Sequence, residues 1–455
     1  MIQTISPFRR ILIIFTLVFS GEIIFSLPFH VARFFRPSFL EVFQLNNTQL
    51  GDVFGLYGLL AMLAYFPGGP LADRFSAKIL MTISLWLTAA GGLYLVQIPS
   101  LSGLTWLFAY WGVTTIFLFW AAMIKLTRLW GGENSQGKAF AVLDGGRGFV
   151  AAGAATIGVV LMALVAPEVT NGAEQQRQGL QAVISFYGIA TFSAGLLVLL
   201  IIPSENHQDK SDTAQFNESS DKPIDKPLDN PVNSPIDKPG EQQSGQSVRS
   251  EYTLWEDIGY VLKRPVIWLQ GLIVLTAYCG YKGLDYFGLY LTTVFSYTPI
   301  ESSQFVANVS YVRLGAAIVA GVIADKIGIG KTVTAIFVLL LASFLIYLPF
   351  GDAETVWIKV NIVATFLLVF AVRAIYFALL EESQVATSRT GIAVGIISVV
   401  GFTPDIFFAP IAGRLLDGAP GVTGFHHLFL LLAVISVIGA VASWRLLTHI
   451  KQNLS

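Results

Sequence analysis

About twelve apolar stretches, each long enough to cross the ~30 Å hydrocarbon core of a bilayer as a helix, recur along this chain and decide its fold class. Their centres fall near Glu22, Leu60, Thr88, Phe117, Ala152, Ile189, Cys279, Arg313, Leu340, Val369, Thr403 and Ile435. A chain that is 54% hydrophobic and only 13% charged cannot clothe such stretches in a polar surface. The expectation is an all-α membrane protein of twelve transmembrane helices. The first stretch follows a basic start, MIQTISPFRR, as in a signal peptide. It is long and no small-residue cleavage site follows cleanly, so it reads as an uncleaved first span.

Other classes drop out quickly. A net charge of −1 gives no hint of a nucleic-acid partner. The lone Cys279 lies in an apolar run, which excludes a disulfide framework or a thiolate metal site and reads as a small buried residue. There is no zinc spacing, nucleophile elbow or serine–histidine–acid set, so neither enzymatic activity nor a cofactor or metal is expected.

Residues 203–250 interrupt the apolar pattern with Asp, Lys, Pro, Ser and Gln, including DKPIDKPLDNPVNSPIDKPG. Such a segment cannot bury enough apolar surface to offset its ordering entropy, and it reads as a disordered linker. It divides the chain into two bundles of about six spans each, residues 1–202 and 251–455. After it, YTLWEDIGYVLKRPVIW reads as a short interfacial helix leading into the seventh span.

A charged turn recurs in both halves. GGPLADRFSAKI (Gly68 to Ile79) and AGVIADKIGIGK (Ala320 to Lys331) align Gly69 with Gly321, Asp73 with Asp325 and Arg74 with Lys326, with Lys78 following in the first copy. Each copy follows the second span of its half and reads as a tight turn. Glycine there is expected to permit close helix approach, while the charges sit in the aqueous interface near helix ends. GIGKT at 328–332 is not a phosphate loop, because the glycine required five positions before Gly330 is Asp325.

This doubled G-x-L-A-D-R pattern, with six spans, a polar linker and six more, resembles the major facilitator superfamily over almost the whole chain. Ser76 and Ala77 stand where the family has Gly and a basic residue, and Ile329 departs in the second copy. The resemblance implies that the turn latches helices in one state of a rocking cycle. Charge bias sets orientation. Short segments on one side collect about eleven Lys or Arg, among them Arg9, Arg10, Arg74, Lys78, Arg128, Lys138, Lys326, Lys331, Arg389, Arg445 and Lys451. The other side has about four or five, including Arg33, Arg36, Arg177 and Arg414. Both termini and the linker are expected to be cytoplasmic, in a bacterial inner membrane.

Ionisable side chains at mid-membrane depth are costly unless paired or hydrated, so each is a candidate site. They are Glu22, Lys125, Asp144, Arg147, Lys282, Asp285, Arg313, Arg373 and Asp405, with none expected in the second, third, sixth, ninth and twelfth spans. In the superfamily the third, sixth, ninth and twelfth helices stand outside a central cavity, which implies that these charges share it. Asp144 and Arg147, three apart, are candidates to pair with each other, as are Lys282 and Asp285. Lys125 is placed to snorkel towards the inner interface. Arg313 and Arg373 have no partner on their own helices and cannot shed their charge, which suggests clamps for an anion, with Lys282 helping. Glu22 or Asp405 would carry the coupling proton. Pro404 and Pro410 mark the helix of Asp405 as bent.

The seventh span and its neighbour, YVLKRPVIW through YKGLDYFGLYL to VRLGAAIVAGVIADK, are similar to the organophosphate:phosphate antiporters and wider organic-anion carriers. Lys282 stands near, though out of register with, the antiporters' basic residue before an L-D-aromatic element. His30 and then Arg33 stand where they use another arginine, and both shifts argue against phosphate as the recognised group. Of the nitrate carriers' two arginines only Arg313 has a counterpart. The leading expectation is a proton-driven transporter of a small organic anion, working by alternating access as a monomer among membrane lipids, with Arg313, Arg373, Lys282, Arg33 and His30 at the substrate. An efflux carrier of an amphiphilic or cationic compound, or a ligand sensor on the same fold, are the alternatives.

Overall fold

Local signals start and break the helices that position the charges. A computed structural model describes residues 6–132, 136–166, 173–203, 259–382 and 390–454. The linker at 204–250, and the start of the segment expected to form an interfacial helix, lie outside the described residues. The main helices are α1 (Pro7–Ile23), α2 (Asn47–Arg74), α3 (Ala77–Leu95), α4 (Leu101–Gly131), α5 (Gln136–Val165) and α6 (Ala173–Ile201) in the first half. In the second they are α7 (Pro265–Gly283), α8 (Pro299–Ile327), α9 (Ile329–Phe350), α10 (Val356–Ala378), α11 (Ile392–Gly418) and α12 (Val422–Leu454). Each of the twelve expected centres falls within the corresponding helix.

Among the described residues ten helices are long and apolar enough to cross a bilayer, or eleven when α1 is joined to Ser26–Phe34 across a 41° bend. The expected seventh crossing is a broken element: α7 runs into a 3-10 turn, Leu284–Tyr286, and then a short helix, Phe287–Phe295. α2 opens on a reciprocal cap in which Gln49 N–H donates to Asn46 Oδ1 (2.8 Å) and Asn46 N–H donates to Gln49 Oε1 (3.0 Å). α8 opens on the same device, with Thr298, Glu301 and Pro299 at its first position.

α3 packs on α6 and α9 on α12 at the flanks, whereas α2 meets α11 and α5 meets α8 between the halves. The first of these inter-half seams is cut by glycine. A Cβ at Gly51 would lie 2.4 Å from the Ala409 carbonyl oxygen, and one at Gly58 2.4 Å from that of Asp405. Small residues here let two backbones approach where any side chain would hold them apart. Towards the end of the bundle that carries both termini, Gly69, Gly315, Gly321 and Gly395 face open space. The charged turns lie at this open end. The expectation that their glycines permit close helix approach is therefore corrected in this conformation: Gly68, whose added Cβ would sit 3.0 Å from the Phe117 oxygen, makes the close contact instead.

At the closed end polar contacts cross the seam. Arg414 donates from Nη1 and Nη2 to the Asp52 carboxylate at 2.7 and 3.2 Å, so α2 does carry a charge, near its start, where none was expected. Backbone amides of Asn47 and Thr48 donate to the two oxygens of Asp417 at 3.2 and 2.7 Å. Because the α2–α11 seam tolerates no added volume, Gly58→Val should cost about 1–3 kcal/mol by overpacking and lower the apparent melting temperature. It should also raise maleimide labelling of an Ala409→Cys reporter. Unchanged melting and labelling would mean the two backbones do not meet there.

Candidate functional site

Halfway along the bundle, breaks in two helices bring charges from α1, α5, α7, α8, α10 and α11 into one layer. The first break follows α1, where Ser26–His30 forms a π turn around Pro28. Residues eight apart on a straight helix are about 12 Å apart along its axis. Across this bend the His30 Nε2–H donates to Glu22 Oε1 at 3.1 Å, and both residues are buried, 1% and 3% exposed. The other Glu22 oxygen accepts from Arg147 Nε on α5 at 2.9 Å. The Arg147 guanidinium lies near the rings of Phe25 and Trp120.

Asp144 and Arg147 thus do not pair with each other. Asp144 accepts from Arg313 Nη2 on α8 at 2.9 Å. The reason lies in the glycines around them. Gly148 seats the Arg313 stem, whose Cδ would be 2.4 Å from an added Cβ, and Gly146 seats Val18 of α1. Each charge therefore finds a nearer partner on the helix its own glycine admits.

The second expected intrahelical pair, Lys282 with Asp285, is likewise replaced by partners in trans. α7 tightens into its 3-10 turn directly after Gly283, and the two side chains diverge. Lys282 Nζ, 4.5 Å from the Phe29 ring centre, reaches Asp405 Oδ1 on α11 at 2.8 Å. Tyr278 OH bonds to both oxygens of the same carboxylate at 3.0 Å. Asp285 instead accepts from Arg33 Nε, and Arg33 Nη1 donates to Tyr281 OH at 2.6 Å.

Arg33 and Arg36, counted from the sequence as charges of the outer loops, are drawn into the protein. Arg36 is fully buried against the Tyr286 ring, 4.1 Å away, and donates to Asn47 Oδ1. Asn47 Nδ2 in turn donates to Asp417 at 3.1 Å, which relays the charge to a carboxylate. Lys125 stands apart from the layer and donates to the Ala72 carbonyl at 3.1 Å, in the last turn of α2 beside Asp73. That is a favourable place for a cation, since unsatisfied carbonyls gather at a helix C-terminus.

Arg373 on α10 is different. Its guanidinium lies 3.7 Å from the Tyr281 ring centre and 5.6 Å from that of Tyr278. It forms no ion pair among the described residues, and its Nη1 is buried without a hydrogen-bond partner. The side chain keeps partial exposure, as do Tyr278, Tyr281, Trp120 and Phe402 around the layer. Cation–π contact stabilises a guanidinium but leaves its charge uncompensated.

The sequence comparisons agree with this architecture. The family model for the Major Facilitator Superfamily matches residues 11–408. Inner membrane protein YihN of Escherichia coli (strain K12) is 25% identical over 443 residues, covering 96% of this chain and 95% of that one. Inner membrane protein YqcE of the same organism is 23% identical over 433 residues, 94% of this chain and 92% of its own. Among solved structures, a bacterial homologue of the human lysosomal transporter Spinster, inward-facing and occupied, superposes with a TM-score of 0.72 at 11% identity, with 97% of both chains covered. The nucleoside transporter NupG does so at 0.64 and 15% identity, over 96% of this chain and 99% of its own.

Sequence reasoning missed Tyr278 and Arg36 as parts of the charge system. Tyr278 carried a usable signal, one turn before Lys282 on the same face. Arg36 carried less, because only its apolar flanks, HVARFFRPSFL, argued against a loop. The trans pairing generates a direct test. Arg147→Ala leaves the buried Glu22 carboxylate without its guanidinium, which should cost about 3–5 kcal/mol. Adding Glu22→Gln should recover much of that loss in a double-mutant cycle read by thermal unfolding. Additive losses would refute the pairing.

Proposed function

The chain belongs to the Major Facilitator Superfamily, a family of membrane transporters, and on that premise we propose that it is a secondary active carrier of a small organic anion, coupled to protons. Arg373 is the observation that carries this reading. A permanently charged guanidinium on a partly exposed side chain, with one donor buried and unsatisfied at the centre of a membrane protein, suits an anionic group that can accept from it. The rings of Tyr278 and Tyr281 stack beside it without supplying a counter-charge, which is left for the substrate to provide. Arg313, Arg33 and Lys282, each committed to a carboxylate, shape the local field and become ligands only when their partners release them. His30 belongs to the Glu22 pair and orients that carboxylate.

Of the two candidate proton carriers, Asp405 is the better suited. Glu22 faces Arg147, whose charge is fixed, so protonating it would strand a buried cation. Asp405 faces Lys282 and a tyrosine hydroxyl. An incoming anion at Arg373 competes with Asp405 for Lys282, and the released carboxylate takes a proton in exchange. Binding and protonation then favour each other, which is the coupling a symporter needs.

The halves meet backbone to backbone at one end, at Gly51 and Gly58, and alternating access requires them to part at the other. Arg9, Arg10, Arg74, Lys78, Arg128, Lys326, Lys331 and Arg445 all belong to helix ends on the terminal side, which favours cytoplasmic termini and a cavity open to the cytoplasm. The two repeated turns around Asp73, Arg74, Lys78, Asp325 and Lys326 act there as latches of helices in one state of the rocking cycle.

A thermal-shift panel of carboxylates, phosphorylated metabolites, nitrate and lipophilic cations tests the substrate class. A ligand at a hundred times its Kd stabilises the folded state by about 2.7 kcal/mol. An anion should produce such a shift, and Arg373→Ala should abolish it; a shift surviving that change in a folded protein would remove the clamp. Asp405→Asn should retain exchange of the anion while losing the increase in uptake at acidic pH. Unaltered pH dependence in reconstituted vesicles would exclude Asp405 as the proton carrier.

A further inference from the structure

A cleft of about 680 Å³ opens on the flank of the second half, far from the charge layer, where the start of α7 meets the end of α12. Its walls divide by polarity. Lys263, Arg445 and His449 supply basic groups, Trp268, Leu269 and Leu272 supply an apolar face, and no carboxylate is among the ten lining residues. We propose that this cleft is a binding site for an anionic glycerophospholipid, with the phosphate held by the basic group and the first part of the acyl chains lying along Trp268, Leu269 and Leu272.

Depth supports the assignment. The charge-free stretch of α12 runs from Leu428 to Trp444, about 26 Å of helix, close to the thickness of a hydrocarbon core. Arg445 and His449 follow directly and therefore stand at headgroup level. Lys263 precedes α7, whose first turns carry Trp268, Leu269 and Leu272 into the hydrocarbon. Trp268 is half exposed and its indole Nε1–H donates to the Leu262 carbonyl at 2.8 Å, so the ring is fixed as one wall with its polar edge towards the interface. Lys263 and Arg445 are both exposed, which leaves their charges free to turn to a phosphate. Basic clefts between membrane helices are suited to such headgroups because the lipid supplies both the counter-charge and the apolar fill. A soluble anion would satisfy only the first.

The test uses the full chain in detergent, with phosphatidylglycerol and phosphatidylcholine of identical chains as probes. Phosphatidylglycerol should raise the melting temperature more than phosphatidylcholine, and the difference should vanish in a Lys263→Gln, Arg445→Gln double variant. Both positions are exposed, so the variant should fold. Brominated phosphatidylglycerol should quench a component of the tryptophan emission that Trp268→Phe removes. Equal stabilisation by the two lipids, an undiminished preference in the double variant, an equal effect of glycerol phosphate alone, or quenching unaltered by Trp268→Phe would each overturn the proposal.

Discussion

A charge in the middle of a membrane is costly unless a partner neutralises it, and in this protein that cost ties the helices together. The pairs are Glu22 with Arg147 (α1 to α5), Lys282 with Asp405 (α7 to α11), Arg33 with Asp285 (the α1 extension to the α7 turn) and Asp144 with Arg313 (α5 to α8). None lies within one helix, so none can form until the helices have packed. The first two occupy equivalent places in the two halves, with acid and base exchanged. They join helices of one half and can persist while the halves rock. The other two join one half to the other and must break or slide when the relation between the halves changes. One set of interactions thus divides into contacts within a half, which rocking need not break, and contacts between the halves, which it must.

Glycine distribution complements this division. Where Gly51, Gly55 and Gly58 line α2, its backbone lies against that of α11, and the polar contacts of Asp52, Asn47 and Thr48 with Arg414 and Asp417 close the same end. Backbone contact of this kind is sensitive to small rotations, because separation by even an ångström forfeits much of the dispersion energy. The seam is therefore suited to two discrete states. At the other end a Cβ added at Gly69 or Gly321 would meet nothing within 4 Å.

Hydropathy made the helices legible because spanning a bilayer demands long apolar runs, and the recurrence of the A-D-cation turn disclosed the two-part organisation. The identity of the buried charges was also legible, since any ionisable residue stands out against Leu, Val and Ile. Their pairing was not. Spacing of three residues suggests intrahelical partners for Asp144 and Lys282, but spacing carries no information about which neighbouring helix a glycine such as Gly148 admits. The two helix breaks of the charge layer were not read: Pro28 carried a signal for one that went unused, whereas nothing in YKGLDYF announces a 3-10 turn at Leu284–Tyr286. Arg33 and Arg36 were misplaced for a related reason, because the α1 segment continues past its bend into Arg36–Val42 and carries both side chains inward.

Arg373 gains its meaning from the completeness of the other pairs. Had several cations lacked carboxylates, the layer would present a diffuse positive potential with no preferred position for an anion. Among the described residues, with each of Arg33, Arg147, Lys282 and Arg313 matched to one acid, the uncompensated charge of the layer is concentrated at the Arg373 guanidinium beside two tyrosines. Those tyrosines also connect it to its neighbours, since Tyr281 accepts from Arg33 and Tyr278 bonds to Asp405. On the proposed reading, a ligand that moves Arg373 would disturb both an inter-half pair, through Tyr281, and a pair within the second half, through Tyr278. Occupancy at one point is thereby linked to the contacts that distinguish one state of the carrier from the other.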